Sequence, residues 1–241
     1  MSRISVVLAT YNGEKFIKDQ LQSIICQLDN NSEIIISDNG STDRTVEIIN
    51  SFNDKRITLT HCSAKGLISN FENALNKATG EIIFLSDQDD IWLENKVQIV
   101  KEYLKKYDSV MTDCKIVDEH LNVLHESFYA IKKAGKGLLK NLISNTYHGC
   151  SMAFKKELLN LSLPFPKNIP MHDIWIGFVA ELFFSTYFIP DKLLLHRRHH
   201  HNASTSSKKS RYNLYQKIQF RIRVLKYIPL LLKRKYFSAA K

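Results

Sequence analysis

The sequence predicts an α/β fold built on an open, mostly parallel sheet that is flanked by helices. Strand-like and helix-like segments alternate four times in the first half of the chain, which is the pattern of a parallel sheet with helical crossovers. The strand-like segments are apolar and rich in β-branched residues, as expected for strands buried on both faces. Polar clusters follow three of these segments, at the strand ends where open sheets bind ligands.

The elements of the first half, residues 1–110, follow from these patterns in chain order. Strands are predicted at residues 4–10, 33–37, 57–61 and 81–86. Apolar residues spaced three and four apart predict helices, which cover about residues 14–28, 43–52, 67–79 and 95–107.

The second half, residues 111–205, is predicted to be a mixed region of the same domain. Its elements are two short strands within 109–124, a helix at 137–145, a strand at 150–154, a buried helix at 171–184 and a strand from Lys192. A Ser/Lys-rich hinge at 204–210 then leads into a basic tail, residues 206–241. The tail has a loosely amphipathic helical pattern, with Ile218, Ile222 and Leu225 on one face.

The net charge of +10 is concentrated at the end of the chain. From Lys192 to Lys241 there are 14 lysines and arginines and no acidic residue, which leaves 20 basic and 24 acidic side chains in the first 191 residues. The tail is therefore basic although the domain is slightly acidic. Such a tail suggests an anionic partner, which could be a membrane surface, a nucleic acid or a phosphate-bearing substrate.

The sequence also indicates a compartment. The first 20 residues lack the pattern of a signal peptide, and no apolar run approaches the roughly 18–20 residues of a spanning helix. The four cysteines, Cys26, Cys62, Cys114 and Cys150, are far apart and form no zinc or redox motif. We therefore expect a cytoplasmic protein with reduced thiols.

Three carboxylates crowd the end of the fourth predicted strand, in the stretch FLSDQDDIW at residues 84–92. Two carboxylates about 4 Å apart repel by roughly 4 kcal/mol at an effective dielectric of 20. A nearby positive charge is therefore needed to offset the repulsion among Asp87, Asp89 and Asp90. Their hard oxygen atoms suit Mg²⁺ or Mn²⁺. An acidic cap on the following helix is the alternative. The sequence has neither common glycine-rich phosphate loop, so a bound diphosphate would depend on the metal and on basic side chains.

Three segments, in this order and spacing, resemble the N-terminal half of family 2 glycosyltransferases: VVLATYNGEKFIKDQLQSI, SDNGSTDRT and GEIIFLSDQDDIW. The resemblance is strong over residues 4–96, weaker to about residue 202 and absent from the tail. It implies the A-type nucleotide-sugar-binding fold (GT-A). It also implies sugar transfer with inversion, by a single in-line displacement at the anomeric carbon.

The resemblance assigns the nucleotide pocket to the ends of the first two strands. Thr10, Tyr11 and Asn12 would line this pocket, and Asp38 would hydrogen-bond the base or ribose of the donor. The structural alternatives are loop packing for Tyr11 and an Asx-turn for Asp38.

The metal and diphosphate site is assigned in the same way. Asp87-Gln88-Asp89 matches the family's D-x-D element, in which Asp87 would face the ribose or metal, Gln88 would belong to the donor site and Asp89 would bind the metal. LHRRHHH resembles the family's Y-R-x-H segment, with His196 in place of tyrosine. Arg197 would then contact the diphosphate, and His199 would be a further metal or phosphate ligand.

The resemblance also assigns the catalytic base. In MHDIWIG, residues 171–177, Asp173 matches the acidic residue that takes the proton from the acceptor hydroxyl, although an Asp at a helix start is also a common cap. His172 is a weak candidate for acceptor binding. Trp92 and Trp175 could stack on an acceptor sugar, but core packing is the more frequent fate of tryptophan.

The predicted function is the transfer of one hexose-type sugar from a UDP- or dTDP-sugar to a saccharide acceptor. A lipid-diphosphate-linked acceptor in bacterial surface polysaccharide assembly would explain a tail that binds the anionic inner face of the cytoplasmic membrane. The tail could instead fold back and cover an apolar side of the domain. The processive element Q-x-x-R-W is absent from the sequence, which favours single transfers.

Two other functions remain open from the sequence. A sugar-nucleotide-forming nucleotidyltransferase would also use acidic metal ligands on an α/β sheet, but it would show a glycine-rich, basic loop after the first strand. A basic nucleic-acid-binding protein would explain the tail. Nucleic-acid binding would not explain the polar clusters at the strand ends, so we expect no nucleic-acid partner.

Overall fold

One nine-stranded sheet runs through residues 2–199, which together with residues 214–239 are the part of the chain that the computed structural model describes. Its strands are β1 (Ile4–Thr10), β2 (Glu33–Asp38), β3 (Ile57–His61), β4 (Ile82–Ser86), β5 (Ile91–Trp92), β6 (Ser109–Val117), β7 (Val123–His125), β8 (Met152–Lys155) and β9 (Thr186–Arg197). They lie in the order β3-β2-β1-β4-β8-β6-β9-β5, and β7 pairs with β6.

The helices connect and cover these strands. They are α1 (Ile17–Ile25), α2 (Thr45–Ser51), α3 (Leu67–Leu75), α4 (Lys96–Leu104), α5 (Phe128–Lys132), α6 (Leu138–Ile143), α7 (Lys156–Ser162), α8 (His172–Phe183), α9 (Leu214–Leu225) and α10 (Ile228–Ala239). A single 3-10 turn, Gly149–Ser151, precedes β8.

The predicted α/β architecture is confirmed, including its mixed second half. Strands β1 to β4 pair in parallel, whereas β8 runs antiparallel to β4 and β6. Every residue of β1 is buried, because helices cover both faces of a parallel sheet and leave no polar side to the strand. The carboxyl ends of β1, β2 and β4 therefore meet at one edge of the sheet.

The short strand β5 is a feature that the sequence does not predict. The helix predicted after the acidic stretch, at about residues 95–107, is present as α4, but the sequence assigns no strand to the residues before it. Ile91 pairs with Leu195 and Trp92 with Leu194, antiparallel to β9. This pairing brings the loop after β4 next to the end of β9. Residues separated by more than 100 positions thus come together at one site.

Both tryptophans belong to the core, which is the more frequent of the two roles that the sequence leaves open for them. Trp92 is 3% exposed and packs against Phe84, with ring centroids 5.3 Å apart. Trp175 is fully buried, and its indole N–H donates to the carbonyl of Ser162 at 2.9 Å. A large aromatic ring whose polar atom has a buried partner stabilises the fold.

The tail helices α9 and α10 pack on the domain. Val224 and Leu231 are buried in a hydrophobic cluster that contains Trp175, and the guanidinium of Arg234 donates to the carbonyl of Pro164 at 2.8 Å. The tail therefore covers an apolar side of the domain, which is one of the two roles that its sequence suggests. The predicted hinge at 204–210 lies outside the described residues. Among the described helices, none is long and apolar enough to cross a membrane.

Substitution of Leu231 should reveal how much this packing contributes to stability. Leu231→Ala removes a fully buried side chain, so the free energy of unfolding should fall by about 2–5 kcal/mol in urea titrations. Leu232→Ala is the matched control, because Leu232 is 54% exposed and its truncation should change stability by less than about 0.5 kcal/mol. Equal, small effects would mean that α10 does not pack on the domain in solution.

Candidate active site

A cavity of about 750 Å³ opens at the carboxyl ends of β1, β2 and β4. Five of the predicted donor and metal residues line it, namely Thr10, Tyr11, Asp87, Gln88 and Asp89. Tyr11 is 55% exposed, so its ring is accessible to a flat ligand group. The volume falls in the usual range for a small-molecule site, about 300–1,000 Å³.

Gln88 joins the two loops that carry most of these residues. Its side-chain oxygen accepts hydrogen bonds from the Thr10 hydroxyl at 2.6 Å and from the Tyr11 N–H at 2.9 Å, and its amide donates to the Tyr11 carbonyl at 3.1 Å. The middle residue of the D-x-D element thus fixes the loop after β1 to the loop after β4.

Asn12 and Asp38 shape the neighbouring loop. Asn12 adopts a left-handed conformation, and its side-chain oxygen accepts from the Thr42 N–H at 2.9 Å. Asp38 is buried, and one of its oxygens accepts from the N–H groups of Gly40 and Ser41, each at 2.9 Å. These bonds form the Asx-turn that the sequence offers as an alternative. They place Asn39 and Gly40, instead of Asp38, on the cavity wall.

The acidic loop, residues 87–90, meets the end of β9 as the β5 pairing requires. His199 Nε2 lies 2.8 Å from Asp89 Oδ2, and the imidazole stacks on Phe16 with ring centroids 4.7 Å apart. The two predicted metal ligands are therefore adjacent, although they are 110 residues apart in the chain.

Arg197, the residue expected to contact the diphosphate, lies against the backbone of the acidic loop. The side chain is buried, and its guanidinium donates to the carbonyl of Asp89 and to the carbonyl of Glu119, each at 3.0 Å. It also lies over the ring of Phe16, 4.6 Å from the centroid. These contacts hold the backbone of Asp89, so the geometry makes Arg197 a positioning residue.

A buried ion pair lies behind the acidic loop. His196 Nδ1 lies 3.0 Å from Asp90 Oδ1, and the same oxygen accepts from the Arg197 N–H at 3.0 Å. Burial alone would raise the pKa of Asp90, but the charge and hydrogen bond of His196 lower it to about 2. The histidine that replaces the family's tyrosine thus anchors the loop.

The electrostatics of the acidic loop fit a divalent cation. Burial, and then the charges of Asp90 and Asp89, raise the pKa of Asp87 well above its ordinary value. The second oxygen of Asp90 is buried without a hydrogen-bond partner among the described residues. Asp87, Asp90 and Cys150 also place ligand atoms within 4.8 Å of one another, as do His148, Cys150 and His196. Carboxylates beside an imidazole are a donor set that Mn²⁺ and Mg²⁺ accept.

Asp173 lies in the first turn of α8 and faces the 3-10 turn. Its carboxylate accepts from the Gly149 N–H at 3.2 Å and from the Ile174 N–H at 2.7 Å. Burial raises the pKa of Asp173 to about 6. Its charge also acts on Asp87, so the candidate base and the D-x-D element belong to one electrostatic site.

His172, next to this carboxylate, is a buried residue. Its ring stacks on Phe71 with centroids 3.9 Å apart, and burial lowers its pKa to about 3. A side chain at Gly149 would come within 3.1 Å of this imidazole, so glycine allows the turn to approach α8. The position supports a packing role for His172 more than direct acceptor contact.

Several site residues are missed by the sequence reasoning. Lys65 lines the cavity and supplies a cation, and Asn70 donates to the Thr10 carbonyl at 3.0 Å. The sequence identifies Asp90 only as one of three crowded carboxylates and does not predict its contact with His196. The local sequence gives no sign of the role of Gly149, because Asp173, which accepts its N–H, lies 24 positions later on α8.

The comparison with known sequences decides the family. The sequence model of Glycosyl transferase family 2 matches residues 5–161. The chain belongs to this family. As a family 2 glycosyltransferase it is 32% identical over 183 residues to the Escherichia coli UDP-Glc:alpha-D-GlcNAc-diphosphoundecaprenol beta-1,3-glucosyltransferase WfgD, covering 74% of this chain and 70% of WfgD. The chain spans 26% to 62% of the length of seven further curated relatives.

Solved structures confirm the GT-A fold of this family 2 glycosyltransferase. The S. aureus protein TarS, residues 1–349 in complex with UDP-GlcNAc, matches with a TM-score of 0.69 and 18% identity, over 92% of this chain and 71% of the TarS chain. The mannosyltransferase PcManGT from Pyrobaculum calidifontis, in complex with GDP-Man and Mn²⁺, matches with a TM-score of 0.66 and 21% identity, over 98% and 69% of the respective chains.

Proposed function

We propose that this glycosyltransferase moves a single hexose-type sugar, with inversion, from a UDP- or dTDP-sugar to a hydroxyl group of a saccharide acceptor. The observation that carries the proposal is the adjacency of Asp89 and His199 beside a cavity of nucleotide-sugar size. Two proteins that this chain resembles support a donor of this class: TarS is in complex with UDP-GlcNAc, and WfgD is named for UDP-Glc.

The donor nucleotide occupies the end of the cavity near β1 and β2 in this proposal. The exposed ring of Tyr11 stacks on the base, and the Asn39–Gly40 backbone forms the wall beside it. Gln88 and Asp38 act by holding these two loops in place. Lys65 offers a positive charge to the donor phosphates.

Asp89 and His199, with Asp87 nearby, hold a divalent cation at the diphosphate in this proposal. When bound, Mn²⁺ or Mg²⁺ stabilises the negative charge that grows on the departing nucleoside diphosphate. The complexes of PcManGT and of the Mycobacterium tuberculosis glucosyl-3-phosphoglycerate synthase contain Mn²⁺. Arg197 keeps Asp89 at this position through the backbone carbonyl.

Asp173 is the proposed general base. The acceptor oxygen forms its bond to the anomeric carbon while the bond from that carbon to the donor phosphate breaks. The acceptor proton goes to the Asp173 carboxylate, and the electron pair of the broken bond leaves with the nucleoside diphosphate. The backbone N–H groups of Gly149 and Ile174 orient the carboxylate for this transfer.

The turnover should therefore depend on pH. Because the pKa of Asp173 is raised to about 6, the protonated, inactive form predominates below that pH. We expect kcat to be level above about pH 7 and to fall by about tenfold per pH unit below pH 6. Steady-state rates at saturating donor, with circular dichroism to exclude unfolding, measure this. A rate that stays level down to pH 5 would contradict the assignment.

We further propose that the acceptor is linked to a lipid diphosphate and that the protein acts at the inner face of the cytoplasmic membrane. The name of WfgD specifies a diphosphoundecaprenol-linked acceptor. On α9, Ile218, Ile222 and Leu225 stay exposed although the opposite side of the tail packs on the domain. An apolar face with basic neighbours suits the interface of an anionic bilayer.

A donor screen tests the glycosyltransferase itself. The full chain is incubated with each common UDP- and dTDP-sugar and Mn²⁺, and the release of free nucleoside diphosphate is measured. Slow hydrolysis of one donor, abolished by a metal chelator, is the expected result. Absence of nucleotide binding and of hydrolysis with every donor would contradict the proposal.

A further inference from the structure

Helix α6 presents an apolar face that the domain does not cover. Leu138 and Leu142 pack against the cluster around Trp175, whereas Leu139 and Ile143 are 74% and 73% exposed. Two large aliphatic side chains, adjacent on one face of a helix, are unusual on the surface of a protein that is surrounded only by water.

The charge around this face is predominantly positive, although the Glu181 carboxylate on α8 accepts from the Gly137 N–H at 2.7 Å at the start of α6. Lys133, Lys136 and Lys140 are exposed beside it, and the chain has no aspartate or glutamate from residue 127 to residue 156. Exposed aliphatic side chains surrounded by lysines match the interfacial region of an anionic bilayer, where apolar groups enter below the headgroups and lysines bind them.

The tail extends the same surface. The guanidinium of Arg221 on α9 donates to the carbonyl of Ile143, which joins the two helices. Both helices also bury their other sides in one cluster, through Leu142 and Val224. The exposed side chains of α6 therefore lie beside the exposed face of α9 that carries Ile222.

The surface is close to the proposed base. Gly149 follows Ile143 by six positions in the chain, so their Cα atoms lie at most about 22 Å apart. The Gly149 N–H is bonded to Asp173. A sugar that is attached through a diphosphate to a lipid would have to bridge a distance of this order to meet the carboxylate while its lipid stays in the bilayer.

We infer that α6 and α9 together form the surface with which this protein lies on an anionic membrane, and that Leu139 and Ile143 insert into its interface. The inference rests on the proposed function, because it explains how a lipid-linked acceptor reaches Asp173. The alternative occupant of this face is a second copy of the chain.

Vesicle co-sedimentation of the full chain tests the inference, with phosphatidylcholine vesicles that contain or lack phosphatidylglycerol. Leu139→Ser with Ile143→Ser should weaken binding to the anionic vesicles by about tenfold or more, because two inserted side chains are lost. Ile218→Ser with Ile222→Ser should have a similar effect. Val123→Ser with Leu124→Ser is the matched control, since these exposed residues lie on β7, and it should bind as the wild type does.

Three outcomes would overturn the inference. The first is equal binding by the α6 variant and the control, and the second is no binding of the wild type to anionic vesicles. The third is a dimer in analytical ultracentrifugation that only the α6 variant dissociates, which would make the face a contact between copies. Thermal melting shows that each variant is folded. Hydrolysis of the donor in detergent-free solution, measured on the same samples, shows separately whether the glycosyltransferase proposal holds.

Discussion

Asp173→Asn should lower the turnover number by about two to four orders of magnitude, which is the usual contribution of a general base. The amide has nearly the shape of the carboxylate, and its one oxygen can keep one of the two bonds that the N–H groups of Gly149 and Ile174 donate to separate carboxylate oxygens, but it cannot take a proton at neutral pH. The donor site is on other loops, so the affinity for the nucleoside diphosphate should be unchanged. Rates with the donor identified by the screen, together with calorimetric titration of the nucleotide, separate the two effects.

Asp191→Asn is the matched control for this variant, because Asp191 is exposed on β9 and the same change there should leave the rate unaltered. The low-pH fall in rate should also disappear from the small residual activity of Asp173→Asn. Turnover within a few-fold of the wild type would remove Asp173 from the role of base. It would then leave this residue only its bonds at the start of α8.

Asp89→Asn should abolish the dependence of nucleotide binding on Mn²⁺ and lower turnover by on the order of a thousandfold. The variant removes one of the negative charges that balance the cation, and it replaces the oxygen that lies 2.8 Å from His199 Nε2 with a weaker ligand. Titration of Mn²⁺ into the protein with and without UDP, followed by the electron paramagnetic resonance of free Mn²⁺, measures metal binding independently of activity.

His199→Ala should weaken Mn²⁺ binding in the same assay by about 10- to 100-fold. His125→Ala is its control, because His125 is exposed on β7 and takes part in none of the contacts of the acidic loop described above. Unchanged Mn²⁺ affinity in both Asp89→Asn and His199→Ala would show that the cation does not bind between these side chains.

The first half of the fold can be predicted from the sequence because its signals are local. Continuous apolar, β-branched runs identify β1, β2 and β4, and these strands are buried as such runs require. Their polar ends identify Thr10 and the D-x-D element, since parallel strands bring their carboxyl ends to one edge. The fold class and this side of the site thus follow from residues that are close in the chain.

Features that depend on distant pairing are not predictable in this way. Ile91 and Trp92 are too short a segment to signal a strand, and they become one only because Leu194 and Leu195 lie beside them. The same pairing brings the Arg197 guanidinium to the Asp89 carbonyl, a contact that the match to the family motif does not predict. A segment's match to a family motif identifies its place in the site, but not the direction in which each side chain points.

Tertiary packing also decides the fate of residues whose types suit two roles. The side chain of Trp175 suits both a sugar-binding surface and a core. The hydrogen bond from its indole N–H to the Ser162 carbonyl shows that it belongs to the core. The tail likewise has two apolar faces, and only the structure shows that Val224 and Leu231 face the domain.

The pairing of β5 with β9 has a consequence for the synthesis of the protein. His199 emerges from the ribosome 110 residues after Asp89, which is about 5–20 s later at ordinary rates of translation. Until then the acidic loop lacks its contacts with His196, Arg197 and His199. A nascent chain that ends before β9 therefore carries the loops after β1, β2 and β4 but lacks the side chains of His196, Arg197 and His199 that contact the acidic loop.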